Sequence, residues 1–207
     1  MTVARSAILA RLRAGQRTGR LPAAADVRVP PPRAQSPDEI LARFLGELAA
    51  LGVESHLETT AEAVRGRVAA IVGRRTTLTW DPEWLPYDVA SVLPSAVHGT
   101  DAREAQAAAD VGVTGCDGAI AETGSLVLLA GDGRPRAASL LPPVHLAVVR
   151  RAEIRFSMGE YFRDRAGAIA SASSCMVVTG PSRTADIELT LTLGVHGPGK
   201  VIVVVGP

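Results

Sequence analysis

Aromatic side chains are scarce in this chain: Phe, Trp and Tyr make up 3% of its 207 residues. A core must therefore be assembled from Val, Leu, Ile and Ala, and the stacking platforms that hold single-stranded nucleic acids are lacking. Cysteine is equally sparse. Cys116 and Cys175 stand far apart, outside any C-x-x-C or Cys/His spacing of a zinc or iron-sulfur site, so no metal and no bound cofactor are expected on this chain. An excess of either charge is missing too: the formal net charge of +1 gives no electrostatic reason for a nucleic-acid or membrane-surface partner. No run approaches the roughly 18 to 20 apolar residues of a membrane span, and Met1 leads into an Arg-bearing amphipathic segment rather than an apolar signal core. The expectation is a soluble cytoplasmic protein with reduced thiols. Complete G-x-G-x-x-G, G-x-x-x-x-G-K-[ST] and G-x-S-x-G motifs are also lacking. Their lack removes the strongest sequence grounds for a dinucleotide enzyme, a P-loop enzyme or an α/β-hydrolase.

What is present is an ordinary globular composition, 47% apolar and 21% charged, in a length that suits one domain with a sizeable core. Arginines far outnumber lysines but are scattered, and no function is drawn from them. Val3 to Leu12 has helical spacing, and Pro22 and Pro30 to Pro32 then make an arm, either a tether or a strap to a partner subunit. Residues 1–35 are thus read as an N-terminal helix and Pro-rich arm, and 36–207 as the domain. Ser36-Pro37-Asp38-Glu39 starts a helix that buries Ile40, Leu41, Phe44, Leu45 and Leu48. A strand at 53–57, a helix at 61–72 capped by Thr59 or Thr60, and a strand at 76–80 follow. That alternation predicts crossover units and an α/β fold, an open, mostly parallel sheet flanked by helices. Further along, the pattern predicts an irregular stretch at 81–99 with Trp80 and Trp84 as a lid, and a helix at 101–109 capped by Thr100 or Asp101. Strands follow at 111–114 and 126–129, the latter with 134–139 as a possible antiparallel partner. The remaining elements are a buried strand at 145–149, one helix at 157–170, and buried strands at 176–178 and 201–205. Residues 187–193 suit a strand or a helix.

The stretch from Gly112 to Gly131, GVTGCDGAIAETGSLVLLAG, carries the most suggestive polar groups: Thr114, Asp117, Glu122 and Thr123, set among glycines beside an apolar strand. Glu122 reads either as a solvated turn residue or as a carboxylate delivered at a strand end. A second stretch, TGPSRTADIE, offers Ser182, a guanidinium in Arg183, and the acids Asp186 and Glu188. Ser182 or Thr184 would equally serve as a helix cap, with Arg183 pairing locally. His196 lies in a turn between Gly194 and Gly197-Pro198, and His145 starts a buried strand, where a structural role competes with a functional one. No metal-ligand spacing connects the two histidines. Cys116 is either a buried filler or, with a lowered pKa, a nucleophile. Open parallel sheets bind ligands outside the carboxyl ends of their strands. Glu122 and His196 are accordingly expected as proton-moving groups in one crevice at that rim, with Thr114, Asp117, Thr123, His145, Ser182, Arg183, Asp186 and Glu188 holding a small anion.

Four ordered motifs, GCDGAIAETGSLVLLA, SLLPPVHLAVV, TGPSRTADIE and LGVHGPGKVIVVVG, resemble the LUD (lactate-utilisation) domain family, in its lactate utilization protein C branch. The resemblance spans about 36–207. Ser125 stands where members often carry Thr, which keeps the hydroxyl. The resemblance implies the fold of phosphosugar isomerases, CoA transferases and 5-formyltetrahydrofolate cyclo-ligase. It also implies a bacterial system oxidising L-lactate to pyruvate with two iron-sulfur partner proteins, this chain being the cluster-free component. The fold relatives suggest a rival: a stand-alone enzyme on a phosphosugar or acyl substrate, with Glu122 as base or nucleophile. A ligand-sensing or assembly module is the third reading.

Overall fold

The computed structural model describes residues 3–18, 35–184 and 192–207. The chain divides into two compact units, 1–31 and 32–207. In the first, helix α1 (Val3–Thr18) extends beyond the predicted 3–12 and leaves Ile8 and Leu12 exposed. The sequence reading of an arm at 19–34 lies outside the described residues.

The first described helix of the second unit begins where local chemistry dictates. Ser36 accepts the Glu39 amide at 3.2 Å and Glu39 accepts the Ser36 amide at 2.7 Å, so both ends of a capping box are closed at the start of α2 (Pro37–Ala50). Leu41, Phe44 and Leu48 face the core from this helix, with Ile40 and Leu45 partly covered. Thr60 caps α3 (Ala61–Val72), which buries Val64, Val68 and Val72 at successive turns. The strands are β1 (Glu54–Leu57), β2 (Thr77–Thr79), β3 (Ala96–Val97), β4 (Val111–Thr114), β5 (Gly118–Ile120), β6 (Ser125–Ala130), β7 (Val144–Arg150), β8 (Ile154–Arg155), β9 (Ser174–Val178), β10 (Arg183–Thr184), β11 (Thr192–Leu193) and β12 (Lys200–Gly206).

Six of these form one all-parallel sheet in the order β1-β12-β7-β4-β2-β3. The α/β architecture expected from the crossover pattern is therefore the one found. The sheet's middle is apolar on both faces: Val201 to Val205 of β12 and Leu146 to Val149 of β7 are all buried. Each buried Val, Leu or Ile among them contributes about 1.5–3 kcal/mol, which is how a core this poor in aromatics is held.

A second sheet, β8-β5-β6-β9, was not foreseen. β6 pairs antiparallel with both β5 and β9, and β8 joins β5 in parallel. The predicted strands at 126–129 and 176–178 therefore belong here rather than to the parallel sheet. β9 is an edge strand and only half-buried, with Val177 38% exposed. Residues 134–139 do not return as a strand. Pro135 opens a 3-10 turn over Arg136–Ser139, and a single bridge between Gly131 and Arg134 is all the pairing there is. That turn lies across β4, where the Ala138 carbonyl occupies the space a Cβ on Gly112 would need, 1.7 Å away. The helix expected over 157–170 is two, α5 (Met158–Asp164) and α6 (Ala166–Ser171), broken at Arg165 with φ −113°. The helix expected at 101–109 is the short α4 (Arg103–Ala107), which lacks a side-chain cap because Ala102 stands at its N-cap, one residue after Asp101, whose carboxylate accepts the His98 amide. Of 187–193, only β11 is described, and it pairs antiparallel with β10.

Gly112→Ala should cost at least about 3 kcal/mol in urea unfolding, because the added methyl collides with backbone that cannot move without shifting the whole 136–139 turn. A loss under 1 kcal/mol would show that the turn is not packed on β4.

Candidate functional site

The residues expected to share one crevice have separate surroundings. Thr114 and His145 are inside the core: both are fully buried on the parallel sheet, with Thr114 Oγ1 and His145 Nε2 2.9 Å apart. Burial pushes the imidazole down to about 4, so at neutral pH it is an uncharged structural hydrogen bonder without access to a ligand. Glu122 and Thr123 form the β5–β6 turn with Gly124, whose φ of +63° only glycine adopts freely. The Glu122 carboxylate accepts the Met158 amide at 3.0 Å and so seats the start of α5. Beside it, Thr123, Ser125 and Thr179 link their hydroxyls at 2.7 and 2.8 Å, which fastens this turn to the end of β9.

The loops that carry Ser182, Arg183 and His196 close on each other through their backbones, but at the opposite end of the parallel sheet from the one expected. The Ser182 amide donates to the Pro198 carbonyl at 2.9 Å, and the Gly194 amide to Ser182 at 3.0 Å. Arg183 donates to the Leu51 carbonyl just ahead of β1, and His196 borders a groove with Leu140, Leu141 and Pro143 just ahead of β7. These are amino ends of strands, not carboxyl ends. Asp186 and Glu188 lie outside the described residues.

The carboxyl rim is occupied by a cleft of about 230 Å³ outside β2, β4 and β7, three neighbours in the sheet. It is lined by Trp80, Glu83, Trp84, Cys116, Asp117, Arg150, Glu153 and Arg165. Of the expected site residues, Asp117 alone is among them. One Asp117 oxygen accepts the Leu129 amide at 2.7 Å and the other accepts Arg134 at 2.8 Å. Burial nevertheless holds this carboxyl above its ordinary range, outweighing the Leu129 amide and the Arg134 and Arg165 guanidiniums, with Glu153 adding to the rise. Arg134 lies over both indoles, 4.1 Å from the Trp84 ring centre and 5.9 Å from that of Trp80. The lid expected of the tryptophans is therefore divided: Trp80 is 3% exposed, whereas Trp84 is 43% exposed. Cys116 is buried, its thiol donating to the Gly118 carbonyl, and burial pushes it up to about 12, the filler rather than the nucleophile.

Backbone strain sits beside the same cleft. Tyr87 and Asp88, consecutive and neither glycine, have φ of 61° and 54°, each at a cost of about 1–3 kcal/mol. They are held by Arg65 donating to the Tyr87 carbonyl, by the Tyr87 hydroxyl donating to the Pro207 carbonyl, and by Ser91 donating to Asp88. Arg150 of the cleft stands 5.9 Å from the Tyr87 ring centre.

A model of the LUD domain matches residues 46–205. The chain belongs to the LUD domain family. This LUD domain is 30% identical over 191 residues to lactate utilization protein C of a Geobacillus species, covering 82% of this chain and 79% of that protein. It is 33% identical over 143 residues to the Halalkalibacterium halodurans protein of the same name, a match that spans 63% of this chain and 62% of its relative's length. A crystal structure of a DUF162 family protein from Deinococcus radiodurans superposes with a TM-score of 0.68 at 25% identity, covering 84% of this chain and all of that one.

Trp80, Arg150 and Glu153 escaped the sequence reading of the site, yet a signal for them existed. Trp80 is the first residue after β2, Arg150 ends β7 and Glu153 follows within three positions, and residues at strand ends are where a parallel sheet places its ligand contacts.

Arg134→Ala should lower stability by about 3 kcal/mol, because Asp117 stays buried without its partner, and Asp117→Asn in the same chain should recover part of that loss in urea unfolding. His145 is tested by pH. Unfolded histidine takes up its proton near 6.5 and the folded one only near 4. Across that window the unfolded state binds more protons, so this group's contribution is lost on acidification from above 6.5 to 4, about 3 kcal/mol. The unfolding free energy of His145→Gln should therefore fall less than that of the parent between pH 7 and 4. Parallel curves would show that the imidazole is not held neutral.

Proposed function

We propose that this LUD domain is the cluster-free component of a bacterial, cytoplasmic system that oxidises L-lactate to pyruvate, acting beside two iron-sulfur partner proteins and binding a small anion. The observation that carries the reading is the likeness to lactate utilization protein C of Geobacillus over 82% of this chain. The chemistry of the two cysteines supports it. Iron-sulfur clusters are held by several thiolates together, and here burial holds both thiols above their ordinary range, Cys116 to about 12. Electrons leaving lactate would pass to the partners' clusters, and this chain would supply the anion site and a docking surface. Glu122, on which a stand-alone enzyme would depend, already has the Met158 amide on its carboxylate, so that rival gains no support from its surroundings.

The test is reconstitution. The cluster-bearing neighbours purified with this chain should reduce an artificial dye on addition of L-lactate, and omitting the chain should lower the rate at least about tenfold. An undiminished rate without it would refute a necessary role.

A further inference from the structure

The cleft at the carboxyl rim has a charge pattern that selects its ligand. Asp117 is matched by Arg134 and Glu153 by Arg165. Among the described residues this leaves one cation and one anion of the lining without an ion-pair partner, Arg150 and Glu83. Arg150 stands 5.9 Å from the ring centre of Tyr87 and its side chain has no ion-pair or hydrogen-bond partner among the described residues, so its planar fork of N–H donors is unspent. That fork matches a carboxylate. Glu83 is exposed at the open side and can only accept. The lining carries two guanidiniums, Arg150 and Arg165, against three carboxylates, Glu83, Asp117 and Glu153, and even with Arg134 on Asp117 the cleft offers no surplus positive charge to a dianion. Its volume of about 230 Å³ is below the roughly 300–1,000 Å³ of pockets for drug-sized ligands, which restricts the occupant to a few heavy atoms. The strained Tyr87–Asp88 pair adjoins the site, where such strain gathers around functional groups.

We infer that this cleft binds a small monocarboxylate bearing a second, hydrogen-donating group, a hydroxy acid or an amino acid, with the carboxylate on Arg150 and the donor directed to Glu83 beneath Trp84. The assignment rests on the lactate-linked reading only for one of the probes used to test it.

Both tryptophans of the chain line this cleft, so intrinsic fluorescence reports on it alone, and calorimetry run in parallel detects binding that leaves the emission unchanged. The probes are L-lactate, L-alanine, propionate and inorganic phosphate. L-Lactate or L-alanine should bind saturably and more tightly than propionate, which lacks the donor, and than phosphate; which of the two binds separates the hydroxy from the amino source. Arg150→Ala should weaken binding at least about tenfold. Glu83→Ala should bring the preferred probe down to the level of propionate and leave propionate unchanged. Arg183→Ala, at the other end of the sheet, should change nothing. Both rim side chains are exposed, and unchanged melting of their variants verifies that they fold. No saturable binding of either acid, equal binding of propionate or phosphate, or indifference to Arg150→Ala would overturn the inference. If binding follows this pattern while the chain proves dispensable for dye reduction, the lactate reading fails and the cleft assignment stands; the reverse result removes the cleft assignment alone.

Discussion

Asp117 is the hinge pin of this structure. It lies between β4, an inner strand of the parallel sheet, and β5, the first strand of the second sheet in chain order. Its two oxygens reach in different directions, one to the Leu129 amide of β6 and one to Arg134. A half-buried carboxylate pays for desolvation only when both oxygens are satisfied in this way. Remove the pairing and three things loosen together: the junction of the sheets, the turn carrying Arg134, and the indole of Trp84 that Arg134 covers. The cleft at the rim is thus a product of the same contacts that join the two halves of the domain.

The two ends of the parallel sheet do different work. At the amino end, the 180–184 and 194–199 segments close on each other through backbone hydrogen bonds, and Arg183 donates to a backbone carbonyl ahead of β1. The contacts described there serve connection. At the carboxyl end, strand termini from three neighbouring strands converge on a small space lined by alternating charges and two indoles. That division explains why residues grouped in sequence around glycine turns do not share a site: turns occur at both ends of every strand, and only one end faces the crevice.

Much of the fold was legible because it is decided locally. Ser36 and Thr60 announce helix starts through their own side-chain acceptors, and the run Val201 to Val205 can hardly be anything but a buried central strand. What was not legible is decided by partners distant in sequence. β6 is buried along its whole length, so it lacks the alternation that separates an antiparallel strand from a parallel one. The turn over 136–139 is fixed by its seat on Gly112, which periodicity does not show. At the site, Glu122 and His196 drew attention through their glycine neighbours, whereas Arg134 and Arg150 were lost among scattered arginines. Their importance comes from what lies beside them in space, Asp117 and Trp84 for one and Tyr87 for the other.

The central claim is that ligand chemistry resides at the carboxyl rim and not at the amino edge of the parallel sheet. Crystals grown in saturating L-lactate or L-alanine test it directly. Ligand density between Arg150 and Trp84 is the predicted result; density in the groove beside His196 and Leu141, with the rim cleft unoccupied, would contradict the account.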